Sequence, residues 1–252
     1  MLEKKIEFLV SKEYLSFAKK DKRLLPEPIK FNIPDWFKNL KHGVRDRTVK
    51  GCFPFLDAIT SGYLLKMPVD YYFEHNVLDE GKRTTTYSSS LSDYRLHIFN
   101  DVNLNKSGFE KHLTKQLGKH CPLVHKNLDL TIHKIMNPWI IKTPPGYSCL
   151  FVPPLNNTDD RFSIISGIVD TDKFENEINF PFIINGDKYP ALKTTLLLGT
   201  PYVQVIPFKR DNWKMSLNSI EYETNQLNKA DYFLKKIVNR YKSNWWSKKS
   251  WK

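Results

Sequence analysis

The sequence predicts a mainly β protein with a few helices, on three observations. Short runs rich in aromatic and β-branched residues recur along the chain, as strands that pack on a pleated surface require. Fifteen prolines outnumber ten glycines, and those at 144, 145, 153, 154, 181, 201 and 207 flank or interrupt these runs. Proline cannot donate to a ladder, so these positions belong at strand ends, edges or bulges. Helical periodicity is confined to three stretches.

The first helix is a short one over 34–40, with Pro34 at its first position, Gly43 beyond its end, and Trp36 and Phe37 turned inward. Strands follow at 63–67 and 71–74, then the Ser/Thr-rich stretch 84–90, which reads as an exposed loop, then a strand at 94–99. A second helix is expected over 108–117, because Ser107 and Glu110 have capping-box spacing, Phe109, Leu113 and Leu117 share a face, and Gly118 ends the run. Strands resume at 139–142, 147–152, 162–169, 178–184 and 202–208. From about 222 to 243, Leu227, Leu234, Ile237, Val238 and Tyr241 form the apolar stripe of a C-terminal amphipathic helix with Lys235, Lys236, Arg240 and Lys242 opposite. The organisation is therefore an N-terminal extension (1–44), a β core (45–214) and a basic helix and tail (215–252).

Lys and Arg exceed Asp and Glu by 12, and residues 209–252 supply eleven basic and four acidic groups of that balance. The positive field favours anionic partners without identifying them. Three widely spaced cysteines without a CxxC pair argue for a reducing compartment. The charged first residues lack the apolar run of a secretory leader, and no stretch has the roughly 18 apolar residues of a membrane helix. A soluble protein of the cytoplasm is expected.

Three motifs carry the functional reading, in this order: Pro144-Pro145-Gly146-Tyr147-Ser148-Cys149-Leu150, Gly167-Ile168-Val169-Asp170-Thr171-Asp172, and Gly199-Thr200-Pro201-Tyr202-Val203-Gln204. The series resembles that of trimeric dUTPases and dCTP deaminases, and the resemblance implies a dUTPase-like β-clip core over 45–214. It also implies roles. Asp170, presented on a turn that Gly167 frees, accepts from a sugar hydroxyl or orients a water; Phe174 stacks on a sugar or base; Gln204 fixes the Asp170 turn. The family's phosphate-binding Pro-Arg-Ser-Gly falls on Pro153-Pro154-Leu155-Asn156, which has neither the arginine nor the serine. Asn156, Arg161 or Lys173 would have to stand in for them. The family's Gly-x-Asp-Leu corresponds to Ser61-Gly62-Tyr63-Leu64, without the metal-associated aspartate, and its Gly-rich C-terminal lid has no counterpart. No cofactor is expected, and Mg²⁺ chemistry is disfavoured.

A second resemblance spans nearly the whole chain. Cys52-Phe53-Pro54-Phe55-Leu56-Asp57-Ala58, Asn137-Pro138-Trp139 and residues 199–210 look like a family carried by marine tailed phages with bacterial relatives. It implies a bacteriophage source and no particular chemistry.

Other constellations weigh less. His120, Cys121 and His125 offer metal ligands, but their spacing matches no finger, and a surface turn with a buried cysteine accounts for them. Trp245, Trp246, Lys248 and Lys249 combine stacking rings with cations, a composition suited to nucleic acid or a protein partner; nucleic acid is the less favoured. No nucleophile elbow, Walker A loop or dinucleotide fingerprint occurs. The expectation is a phage accessory protein of the infected bacterial cell that binds a nucleotide or related small anion beside Asp170, with catalysis left open. The alternative is a non-enzymatic interaction or virion-associated protein. A homo-oligomer follows by analogy with the trimeric families.

Overall fold

The computed structural model describes residues 4–43, 45, 47–77, 83–89, 111–112, 117–118, 121–123, 132–186, 188–219, 241–242 and 245–252, the side chains of 75–77, 83–89, 111–112 and 133 excepted. Its strands are β1 (Glu7–Leu9), β2 (Glu27–Pro28), β3 (Tyr63–Lys66), β4 (Tyr71–Val77), β5 (Arg83–Ser89), β6 (Lys111–His112) and β7 (Ile132–Ile135), followed by β8 (Ile140–Lys142), β9 (Tyr147–Val152), β10 (Phe162–Ile164), β11 (Gly167–Val169), β12 (Phe180–Ile184), β13 (Ala191–Leu196) and β14 (Pro201–Lys209). The helices are α1 (Lys12–Ala18), α2 (Asp35–Asn39) and α3 (Phe53–Thr60). The protein is thus mainly β with few helices, in open sheets ordered β11-β9-β14-β3-β2, β10-β12-β7-β6, β13-β4-β5 and β1-β8.

The main core lies on one face of the five-stranded sheet. Along β9 and β14 alternate side chains point to it, and Cys149, Phe151, Val203 and Val205 are buried there with Leu65, Phe180, Phe182 and Trp139. The segment from Ile6 onward joins the same core. Ser11 caps α1 by accepting from the Tyr14 N–H at 3.1 Å, and Tyr14 and Ala18, one turn apart on α1, join Leu24 in the cluster. β1 pairs with β8, and β2 pairs with β3. Within the stretch before 45, the residues from Ile6 to Leu25 thus contribute side chains to this core.

Several expectations change. The Ser/Thr stretch 84–90 supplies most of strand β5, because it pairs residue for residue with β4 over 83–89. Within the expected helix 108–117, Lys111 and His112 are a strand paired with β7. α2 begins at Asp35 with Pro34 as its cap residue; Phe37 is buried, but Trp36 is 47% exposed. The expected strand at 94–99 and most of the helix at 222–243 lie outside the described residues, within which Tyr241 and Lys242 are helical.

The other face of the five-stranded sheet positions the site. Cross-strand register puts Gln204 opposite Val152, Ile206 opposite Leu150, and Phe208 opposite Ser148, while Leu150 also faces Ile168 on β11. Directly opposed residues in an antiparallel pair share a face. α3 covers one end of this face, where Gln204 donates to its Ala58 carbonyl, and the chain leaves α3 for β3 through Gly62 (φ +77°), where a Cβ would stand 2.1 Å from the Val205 carbonyl oxygen. Only glycine fits there.

Candidate functional site

The three sequence motifs come together on adjacent strands, β11, β9 and β14, and their polar residues converge where β14 ends. The Ser148 hydroxyl donates to Asp170 Oδ1 at 2.6 Å. Arg210 Nη1 lies 3.2 Å from the same oxygen and donates to the Tyr147 carbonyl (2.9 Å), Ser148 Oγ (2.9 Å) and Asp172 Oδ1 (2.8 Å). Arg210 Nη2 completes a fork on Asp172 by donating to Oδ2, which also accepts from the Gly146 N–H at 2.8 Å. The Asp172 side chain is 5% exposed. The Arg210 guanidinium first, and the Gly146 amide after it, hold its carboxyl well below the usual carboxylate range. The pair likewise raises Arg210.

This cluster locks the turn after β11. The Lys173 and Phe174 amides both donate to the Asp170 carbonyl at 2.9 Å, and the Thr143 and Thr171 hydroxyls lie 2.7 Å apart. Burial pushes the Cys149 thiol beneath them up to about 11, so it is no nucleophile at neutral pH. Gly167 does not supply freedom to the turn: it lies in β11 outside the left-handed region, with open space where a Cβ would be.

The proposed ligand residues divide. Asp170 (52% exposed side chain) and Phe174 (39%) stay together on one accessible turn. Gln204 is fully buried beneath α3. Its Oε1 accepts from the Leu155 N–H at 2.8 Å, and its Nε2 donates to the Ala58 and Ser61 carbonyls at 2.9 and 2.7 Å. It therefore fastens α3 and the 153–156 turn to β14; Ser148 and Arg210, not Gln204, hold the Asp170 turn. Arg161 is forked onto Asp159, with Nε donating to Oδ1 at 2.9 Å, and also donates to Thr194 Oγ1 at 2.7 Å. Its guanidinium is already committed. Asn156 is exposed at φ 57°, in the turn that follows β9.

In the tail, Trp246 and Lys249 are not free to take a partner. Trp246 Nε1 donates to Asp57 of α3 at 3.0 and 3.2 Å, Lys249 Nζ donates to the same carboxylate at 2.5 Å, and the Trp246 ring lies 5.1 Å from that of Phe53. Trp245 (61%) and Lys248 remain exposed.

Sequence reasoning missed two features. The first is the apolar row Ile168–Leu150–Ile206, which crosses three strands beside Phe208 on the Asp170 face. Ile168 is 63% exposed, the others are half-buried, and none belongs to the main core. Only strand register reveals it. The second is an open concavity of about 690 Å³ lined by Lys38, Lys41, His42, Arg45 and Lys50. The Thr48 N–H donates to His42 Nδ1 at 3.1 Å, which in the neutral ring leaves the proton on Nε2. Lys50 Nζ donates to the Lys38 carbonyl at 2.7 Å. Among the described residues no carboxylate pairs with Lys41 or Arg45. A run of six Lys/Arg against two Asp between 30 and 50 was the available signal.

Among the described residues no group of His, Cys, Asp and Glu is placed to hold a metal ion, and no helix is long and apolar enough to cross a membrane. His120 and His125 lie outside the described residues.

No protein-family model matches the chain, and no curated protein matches it. Among solved structures, a mutant dUTPase from phage phi11 of S. aureus, described with a structural Mg(II) ion, is similar over 37% of this chain and 72% of that one, at 13% identity and a TM-score of 0.23.

Proposed function

We propose that this is a non-catalytic docking protein, whose interaction surface is the Asp170 face of the five-stranded sheet. The carrying observation is the contrast on that face. Gln204, expected as a ligand residue, is consumed in internal hydrogen bonds, as is the neighbouring Asp172, while the Ile168–Leu150–Ile206 row is left toward solvent. An apolar row rimmed by a half-exposed Asp–Arg pair has the make-up of a protein interface, with an apolar middle and a polar edge. The setting on this reading is an infected bacterial cell or a virion. The β-clip character of the core is part of the same proposal, supported by the meeting of the three motifs on β11, β9 and β14.

A second reading, binding of a nucleotide or related anion, is favoured by the cationic concavity and moves there from Asp170. A phosphate among Lys41, Arg45 and Lys50 gains charge-assisted hydrogen bonds that, among the described residues, no carboxylate already occupies.

Thermal-shift measurements with dNTPs, NTPs and inorganic phosphate test both readings, since a ligand of the folded state raises its midpoint. Any shift is expected to vanish in Lys41→Glu/Arg45→Glu and to survive in Asp170→Asn. A nucleotide-specific shift abolished by Asp170→Asn alone would overturn the docking reading.

A further inference from the structure

We infer that the Asp170 face is covered by residues 211–219 of a second copy of this chain, which receives the same segment in return. The inference rests on the docking reading and names its partner.

After β14 the chain runs from 211 to 219 without turn or bend, and each of these residues is exposed. Trp213 is 91% exposed, Met215 82% and Leu217 87%. Placed at i, i+2 and i+4 of an extended segment, they line one side of it. A single aromatic side chain of this kind removes roughly 150–250 Å² from water when buried, so the arm has the composition of an interface element and not of a solvated tail.

Its root is fixed. Arg210 is held by Asp172, Ser148 and the Tyr147 carbonyl, and its own N–H donates to the Gly146 carbonyl at 2.8 Å. The apolar row lies behind this root, at Ile206 and its cross-strand neighbours. To cover its own row the arm would have to reverse at once, yet 211–219 contains no turn, no glycine and no proline. The arm and the row it fits therefore belong to different molecules. Because both are present on one chain, two copies satisfy each other in a closed, self-complementary exchange.

The dimensions agree. Adjacent strands stand about 4.8 Å apart, so the row from Ile168 to Ile206 is roughly 10 Å long, and an extended arm advances roughly 13 Å from Trp213 to Leu217. One arm laid across β11, β9 and β14 sets a large apolar side chain over each strand. Two arms exchanged reciprocally approach the roughly 1,200 Å² at which specific interfaces begin.

The test uses the full chain with exposed Cys52 and half-buried Cys121 replaced by serine. One preparation carries Leu150→Cys and the other Met215→Cys, the residues that the exchange places opposite each other in either direction of the arm. Mixed and mildly oxidised, they are expected to give a disulfide-linked pair that neither gives alone. Light scattering of the unsubstituted chain at tens of micromolar is expected to show twice the mass of one chain. Trp213→Asp/Leu217→Asp should show the mass of one chain and a single cooperative melt whose midpoint, unlike that of the unsubstituted protein, does not depend on concentration. A single-chain mass for the unsubstituted protein, no cross-link in the mixture, or a cross-link within one dilute chain carrying both cysteines would each overturn the exchange. None of these would touch the docking reading, whose own failure is a nucleotide shift that depends on Asp170.

Discussion

Arg210→Ala is expected to lower the thermal midpoint by on the order of 10 °C, because it leaves the Asp172 carboxylate, 5% exposed, with only the Gly146 amide of its fork. The loss should depend on pH in a defined direction. Asp172 has a folded-state pKa well below its unfolded value of about 3.9. Its contribution is therefore fully present above that value and is lost as the pH falls through the folded pKa. The gap in stability between the unsubstituted protein and Arg210→Ala should stay constant from about pH 5 to 8 and narrow below about pH 4. Arg210→Ala combined with Asp172→Asn should lose less than the two single changes added together, since the second removes the stranded charge created by the first. Melting curves across pH check each point. An Arg210→Ala protein as stable as its parent would show that the cluster is not structural.

Gln204→Ala is expected to cost about 3 kcal/mol, read as a fall in the urea midpoint with an unchanged slope. The substitution strands the Leu155 N–H and the Ala58 and Ser61 carbonyls, and a buried group without its partner costs more than the net value of the bond that was made. If Gln204 instead served a ligand, its replacement would weaken binding at constant stability. No change in the urea midpoint would contradict the buried-amide assignment.

How much was legible follows from which interactions are local. β9 was readable over its whole length, and β3 and β14 to within one or two residues, because their alternation of apolar side chains reflects burial on one sheet face. β5 was not, since its threonines and serines carry no apolar pattern and their strand state comes from pairing with β4. α3 escaped notice for another reason. It has only eight residues and no side-chain cap, too little to show a 3.6-residue period of its own. At the site, the three motifs were visible and do lie on neighbouring strands. The partners of each residue were not, because they depend on register. A buried Gln204 under α3, an Arg210 forked onto Asp172 and a row of aliphatic residues across three strands are all products of long-range pairing. Residue type alone made Gln204 and Arg161 look available, and tertiary structure spends both on the fold.

On the proposed docking reading, Asp170 and its neighbours are expected to shape a docking face and do no chemistry. Pyrophosphate release from each of the four common dNTPs and dUTP, with Mg²⁺ supplied, measured side by side for the unsubstituted protein and Asp170→Asn, decides it. The prediction is release no faster than the buffer blank for both proteins. Turnover by the unsubstituted protein that disappears in a fully folded Asp170→Asn would contradict it.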